Sequence, residues 1–411
     1  MHTLKKYLNL LFLLSVFKVN AQNNTLEYYI SRALSNSPLL KDYNNQVELG
    51  GIDSTMIRAA YKPQVTGTGN NYYAPVINGW GYDNAITNGA NVSALVGVNK
   101  ALVSRKKTQY ETIRLNTAGI KNTAQIAEQD IKSTVAAQYI TTFGDWQQLS
   151  FTAEVYGLLL KEDTILKRLT QSNIYKQTDY LTFLVTLQQQ KLAMKQADIQ
   201  YKSDYAMLMY LCGINDTTES VLQEPSILLN SLPQPENSVF FRQYSIDSLK
   251  NINSRKVIDY SYKPKANVFT DGGYSSSLAY TPYKNFGAGI GLTLTLPIYD
   301  GRQRKMKYSK IDIAERTRQS YSAFFSRQYH GQIDQLSEQL KGTEELIDEI
   351  NDQVKYSEGL INAHLRLLAT GDVRIADLVI ALNNYLTAKN LLTQNRANRW
   401  QIINQINYWS R

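Results

Sequence analysis

The sequence predicts a mainly α-helical chain that carries a few strands of a β-barrel and consists of two copies of one unit. Three observations lead there. Around residue 290 an alternating strand runs straight into a helix of more than sixty residues. Two long segments nearly free of Pro and Gly carry apolar residues at heptad spacing. Short motifs and the heptad phase both recur about 200 residues apart.

The strand is the most legible element. Ile290, Leu292, Leu294, Leu296 and Ile298 alternate with Gly291, Thr293, Thr295 and Pro297. A period of two makes one face continuously apolar and the other small or weakly polar. Asp300-Gly301 then breaks the strand.

The N-terminus reads as a leader. Lys5 and Lys6 precede an apolar run from Tyr7 to Phe17, and Val19-Asn20-Ala21 offers small residues before Gln22. Residues 1–21 are therefore expected to be a secretory signal peptide. Its loss takes Lys5, Lys6 and Lys18, and the formal charge falls from +9 to +6. The remaining basic residues are dispersed and the chain reads as exported. No nucleic-acid partner is expected; a basic surface facing water or anionic headgroups is. The single Cys, Cys212, has no intramolecular disulfide partner and reads as a buried or half-buried thiol. Past residue 21 no apolar run is long enough for a transmembrane helix.

The first copy is expected over 22–213. Helices cover 26–60, with a break at Ser37-Pro38 and a stop at Tyr61-Lys62-Pro63. Strands follow at about 64–73 and 91–102, joined by a loop with turn signals Asn78-Gly79 and Asn88-Gly89. A helical hairpin over 104–213 comes next. Val135, Thr142, Leu149 and Tyr156 form one heptad series, and Tyr139, Trp146, Ala153 and Leu160 another. Its first arm would be a rod of roughly 100 Å. Residues 214–235 read as a linker.

The second copy, 236–411, repeats the order, with strands at about 265–274 and 286–299 and a hairpin over 302–411. Tyr61-Lys62-Pro63 recurs as Tyr262-Lys263-Pro264, while Arg168-Leu169 and Asp179 recur as Arg366-Leu367 and Asp377. Ile333, Leu340, Ile347, Val354, Ile361 and Leu368 carry the heptad phase.

Strands of about ten residues have the length that crosses a tilted bilayer path. An open sheet edge in hydrocarbon leaves backbone groups unpaired at several kcal/mol each. Four strands cannot close, so the barrel must be shared between chains. Two chains would give eight strands and a filled interior; three would give twelve and a lumen, kept open by Gly291, Thr293 and Thr295.

The double repeat, the junction Leu296-Pro297-Ile298-Tyr299-Asp300-Gly301 and the turns before Asp179 and Asp377 resemble the TolC-type outer-membrane efflux and secretion channels. The resemblance spans about residues 26–411. It implies a homotrimer in the outer membrane of a Gram-negative bacterium. A twelve-stranded transmembrane barrel would continue into a periplasmic α-helical coiled-coil barrel. It also implies a periplasmic adaptor of the membrane-fusion type and an inner-membrane RND or ABC transporter as partners. On that likeness Pro297, Tyr299, Asp300 and Gly301 form the barrel–helix junction. Ser172, Asn173, Thr370 and Gly371 are adaptor-docking turns. Asp179, Asp377, Asp372, Arg374 and Lys176 are candidates for a tunnel-tip gate and ion selection. Only one junction has the full signature, since the first copy reads Val98-Asn99-Lys100-Ala101-Leu102-Val103. Some members carry a second acid one turn after the first; here that position is Ile380.

The residues also allow plainer roles. Asp179 and Asp377 open helices and could serve as N-caps or dipole partners. Arg302, Arg304, Lys305 and Lys307 could meet lipid headgroups or simply solubilise a helix start. His364 falls on the heptad seam, and His330 has no companion at metal-ligand spacing. Gly287-Ala288-Gly289-Ile290-Gly291 lies inside a strand and opens no helix, which argues against a phosphate loop. No nucleophile–base–acid set and no cofactor motif stands out, so no enzyme and no cofactor are expected. The alternative function is a periplasmic adaptor or scaffold with coiled-coil hairpins and no pore.

Overall fold

The computed structural model describes residues 24–81, 90–102, 105–216, 218–231, 238–278 and 281–409. The expected leader lies outside them, as do Asn88-Gly89, Pro233 and Pro235. The described elements run α1 (Leu26–Asn36), α2 (Pro38–Ala60), β1 (Gln64–Tyr73), β2 (Ala90–Ala101), α3 (Lys106–Gln171) and α4 (Gln177–Cys212). They continue as α5 (Val239–Ser261), β3 (Lys265–Ser276), β4 (Phe286–Thr295), α6 (Gln303–Thr370) and α7 (Ile375–Trp409). Among the described residues no helix is long and apolar enough to cross a membrane.

Helix ends follow local chemistry. Thr25 caps α1, its hydroxyl accepting from the Tyr28 N–H at 3.3 Å. Gly213 ends α4 in the left-handed region at φ 62°, where a side chain would be strained. Asp300 accepts the Arg304 N–H at 2.7 Å, satisfying one amide that the start of α6 leaves open.

The chain divides into two compact units. One comprises residues 41–125 and 239–327 and holds the sheet. Its four strands lie in the order β1-β2-β3-β4, every neighbouring pair antiparallel. Gln64 pairs with Asn99, Ala101 with Asn267 and Lys265 with Thr295, so the strand ends that meet helices all fall at one end of the sheet. β1 and β4 are edges. The last strand ends at Thr295 rather than near 299, because its partner β3 begins at Lys265, just after Pro264, and Pro297 has no N–H to donate.

The other unit comprises the described parts of 1–40, 126–238 and 328–411. Tyr29, Val135, Tyr139, Ile140, Phe143, Leu208 and Cys212 are buried together in one cluster. Cys212 is a buried free thiol, which burial pushes up to about 12. A second cluster joins Leu159, Leu166, Phe183, Leu368, Ile375 and Leu378. On α6 the heptad series is buried at Ile333, Leu340, Val354, Ile361 and Leu368 and half-buried at Ile347. On α3 the series fits only its first half. Beyond Leu149 the buried residues are Thr152, Val155, Leu159 and Leu166, while Ala153 and Leu160 are exposed. The reason is a change of neighbours: Val135 and Tyr139 pack with α1 and α4 residues, whereas Val155 and Leu159 join the cluster of Phe183, Leu368 and Ile375.

The expected linker is tied down over its described part. The Tyr201 and Tyr205 hydroxyls donate to the carbonyls of Ser220 and Thr218, both at 3.1 Å. The Tyr139 hydroxyl lies 2.6 Å from the Gln223 carbonyl, and the Asn230 N–H donates to Asn407 Oδ1 at 2.8 Å.

Candidate functional site: a two-faced sheet and a paired helical turn

Antiparallel partners share a face, so the register sorts every strand residue. One face is mainly apolar, with Val65, Val92, Ala94, Val96, Val98, Val268, Tyr274, Phe286, Ile290, Leu292 and Leu294, and carries Asn71, Thr270, Ser276 and, at the helix-proximal end, Lys100. The other is mainly small and polar, with Thr66, Thr68, Asn70, Ser93, Asn99, Lys265, Asn267, Asp271, Ser275, Thr293, Thr295 and several glycines, and also carries Tyr72, Leu95 and Phe269. The apolar face is bare: Ile290 is 83% exposed, Leu292 66% and Leu294 68%. A bare apolar face of this extent calls for an apolar solvent or a partner. Gly291 sits on the polar face as expected. Its position there is not open space, however, because the Phe269 ring lies where a Cβ on Gly291 would be. Gly273 takes φ 149° and brings its backbone against the Ala94 carbonyl, leaving no room for a side chain.

At the junction Pro297, Tyr299 and Asp300 lie between β4 and α6 without regular structure, and Gly301 begins the turn into α6. Gly301 and Arg302 both take φ 65°, which turns the chain from strand to helix. Tyr299 is exposed. A hydrogen bond from Tyr262 holds the Asp300 carboxyl below the usual carboxylate range. Arg304 pairs with Asp259 at 2.9 Å, and Tyr308 bonds the same carboxylate. Of the four basic residues expected to meet headgroups or water, Arg304 is thus committed to a partner within the chain.

The two helical turns are built alike. The Asn173 N–H donates to the Thr170 carbonyl at 3.0 Å and the Ile174 N–H to Leu169 at 2.9 Å. The Gly371 and Asp372 N–H groups make the corresponding bonds to Leu368 and Leu367, at 3.2 and 3.0 Å. Asn173 and Gly371 are both left-handed, at φ 60° and 82°. The turns also touch. Tyr175 and Val373, 198 residues apart, are both buried and joined by a 2.8 Å bond from the Tyr175 hydroxyl to the Val373 carbonyl. A Cβ on Gly371 would lie 2.7 Å from Ile174.

Neither acid caps its helix. Lys176 is the N-cap of α4 and makes no side-chain cap bond; Asp179 lies in the first turn, where its charge suits the helix dipole. Asp377 lies likewise in the first turn of α7. The expectation of N-capping is therefore corrected: both acids stand inside the helix, past the cap. Arg374 pairs with Asp377 through bonds of 2.8 and 3.0 Å and holds that carboxyl below its usual range. Lys176 and Asp179 are joined only through their backbones, the Asp179 N–H donating to the Lys176 carbonyl at 3.1 Å; no side-chain bond or ion pair links them among the described residues. Ser172, Asn173, Thr370 and Asp372 are exposed, Gly371 is half-exposed, and Ile380 is exposed. Sequence reading missed Tyr175, Val373 and Phe269. The first two stand at the repeat spacing and were findable by it; Phe269 needed the strand register.

No family model matches the sequence, and no curated protein sequence matches it. The likeness to known proteins lies in the fold. The outer membrane protein VceC of Vibrio cholerae superposes with a TM-score of 0.75 at 12% identity, over 94% of this chain and 96% of its own. The Campylobacter jejuni CmeC outer membrane channel gives 0.70 at 14% identity, over 94% and 85%. The open Neisseria gonorrhoeae MtrE outer membrane channel gives 0.74 at 13%, over 94% and 88%.

The chain has the fold of these outer-membrane channels. That fold, mainly helical with a small sheet, accounts for most of this chain and for most of each channel protein. Among the described residues no cluster of His, Cys, Asp and Glu could hold a metal ion.

Proposed function

We propose that three copies of this chain form a passive exit duct in the outer membrane of a Gram-negative bacterium, taking cargo from an inner-membrane transporter. The observation that carries the reading is the two-faced, open-edged sheet. Its apolar face suits hydrocarbon and its polar face suits water. Its β1 and β4 edges have unpaired backbone groups that a bilayer does not tolerate. Three copies joined edge to edge supply twelve strands and a lumen, whereas two supply eight and a filled interior. Each chain is read as a tandem repeat, 22–213 and 236–411 around the 214–235 connection. The like-built turns at Asn173 and Gly371 support that reading.

The duct serves a tripartite efflux pump or a type I secretion system. The exposed turn residues Ser172, Asn173 and Thr370, with Gly371 beside them, present a surface for a membrane-fusion adaptor, behind which stands an RND or ABC transporter. Asp179, Asp377, Asp372, Arg374 and Lys176 gather near that end as a charged gate.

Extraction of outer membranes with mild detergent tests the reading. The duct predicts a band that migrates as an oligomer unheated and as a single chain after boiling. A chain recovered in the soluble periplasmic fraction, and unable to raise the conductance of a lipid bilayer, overturns it.

A further inference from the structure

We propose that Asp271 sets the ion preference of the barrel lumen. The inference rests on the duct reading and assigns a residue for which that reading has no role. Asp271 lies near the middle of β3 on the polar face of the sheet. Lys265 and Asp271 are the only charged residues that the described register puts on that face. Lys265 pairs with Thr295 at the helix-proximal end, six positions or roughly 20 Å along the strand from Asp271.

Asp271 is half-buried, but no partner among the described residues binds its carboxylate. Its partner across β2 is Gly97 and across β4 is Gly289, so no side chain stands directly opposite it on either neighbouring strand. On the same face of β3 its neighbours are Gly273 on one side and Phe269 on the other, whose ring lies over Gly291 of β4. A Cβ on Gly289 would meet the two carboxylate oxygens at 3.4 and 3.6 Å, so the group leans over that glycine. No hydrogen bond or ion pair holds it among the described residues. Asp is a poor strand former, and a charge in a sheet needs a solvent of high dielectric. The plain role of a solvated polar residue asks only for water on this face. A closed barrel adds more: three copies place three carboxylates at one level of a confined lumen, each directly flanked across the sheet by the glycines Gly97 and Gly289. A ring of carboxylates at a constriction or in a lumen draws cations and turns anions away. The lumen then runs from a lysine ring near the helices to a carboxylate ring at mid-height, two filters of opposite sign in series.

The test uses the full chain in planar bilayers under a KCl gradient, with the reversal potential read as a cation-to-anion permeability ratio. Asp271→Asn is expected to lower that ratio by about twofold or more, Asp271→Lys to carry it toward anions, and Lys265→Gln to raise it. Asp271→Cys gives a second readout on channels already assembled, since Cys212 is buried and unreactive. A cationic thiosulfonate should lower the ratio and an anionic one restore it. Channels that form normally and keep the wild-type ratio in Asp271→Asn, or that ignore the sign of the thiol reagent, overturn the proposal while leaving the duct intact. A wild-type chain that forms no channel overturns both.

Discussion

Leu292 and Thr293 are neighbours in β4 that point to opposite faces, and arginine at each separates the duct from a water-soluble scaffold. Leu292 is 66% exposed and shares its face with Ile290, Leu294 and Val268. If lipid covers that face, Leu292→Arg introduces a charge facing hydrocarbon. The cost is about 2–4 kcal/mol per chain near the bilayer midplane, and three chains bring it to roughly 6–12 kcal/mol per assembly. Thr293→Arg faces the lumen, where it meets water and mainly narrows the path. Semi-denaturing electrophoresis of outer-membrane extracts reads assembly, and bilayer recording reads conductance. Leu292→Arg should nearly abolish the heat-sensitive oligomer. Thr293→Arg should keep the oligomer and reduce its unit conductance. A soluble protein would behave otherwise: arginine at an exposed position changes stability by no more than about 0.5 kcal/mol. Equal assembly of Leu292→Arg and wild type would refute the assignment of the apolar face to lipid.

Other predictions follow from single positions. Gly273→Ala forces a side chain into a positive φ and against the Ala94 carbonyl; a cost of about 1–3 kcal/mol per chain should appear as a lower temperature of oligomer dissociation. Burial, and then the neighbouring Asp204, push the Asp145 carboxyl up to about 7, against about 4 in an unfolded chain. The folded chain therefore holds more protons between those values, and this group's contribution to stability falls as pH rises from about 4 to about 7 and is flat above. Hydrogen bonds from Asp145, Gln200 and Gln138 outweigh burial and hold Asp204 below the usual range, so its own effect falls at more acidic pH. Thermal melts of Asp145→Asn should lose that slope and show a higher midpoint than wild type at pH 8; an unchanged slope contradicts it. Replacing Asp179 and Asp377 together with Ala should weaken block of the reconstituted pore by multivalent cations, and unchanged block would reject a carboxylate ring there.

The alternating strand was the easiest element to read, because a face that meets one solvent along its whole length writes a period of two into the sequence. The hairpins were readable for a related reason: Leu340, Ile347, Val354, Ile361 and Leu368, seven apart, turn inward at about every second turn, Ile347 half-buried and the others buried. The second half of α3 was not, since its buried stripe shifts where the packing partners change, and no single period describes both halves. Contacts between distant residues were the hardest. The Tyr175–Val373 bond joins two turns and the Asp145–Asp204 pair two helices; the repeat spacing pairs the first two residues by position but says nothing of their contact, and nothing local marks the second. At the tip, the acids were visible as helix openers. That they stand past the cap follows from where the helices begin, at Gln177 after the extended Lys176 and at Ile375, which composition does not encode.

The account turns on how many chains complete the sheet. Light scattering of the detergent-purified particle, with the detergent's share subtracted, counts them directly. Three chains per particle are predicted. One chain, stable in water without detergent, or two, which would fill an eight-stranded barrel with its own side chains, would contradict it.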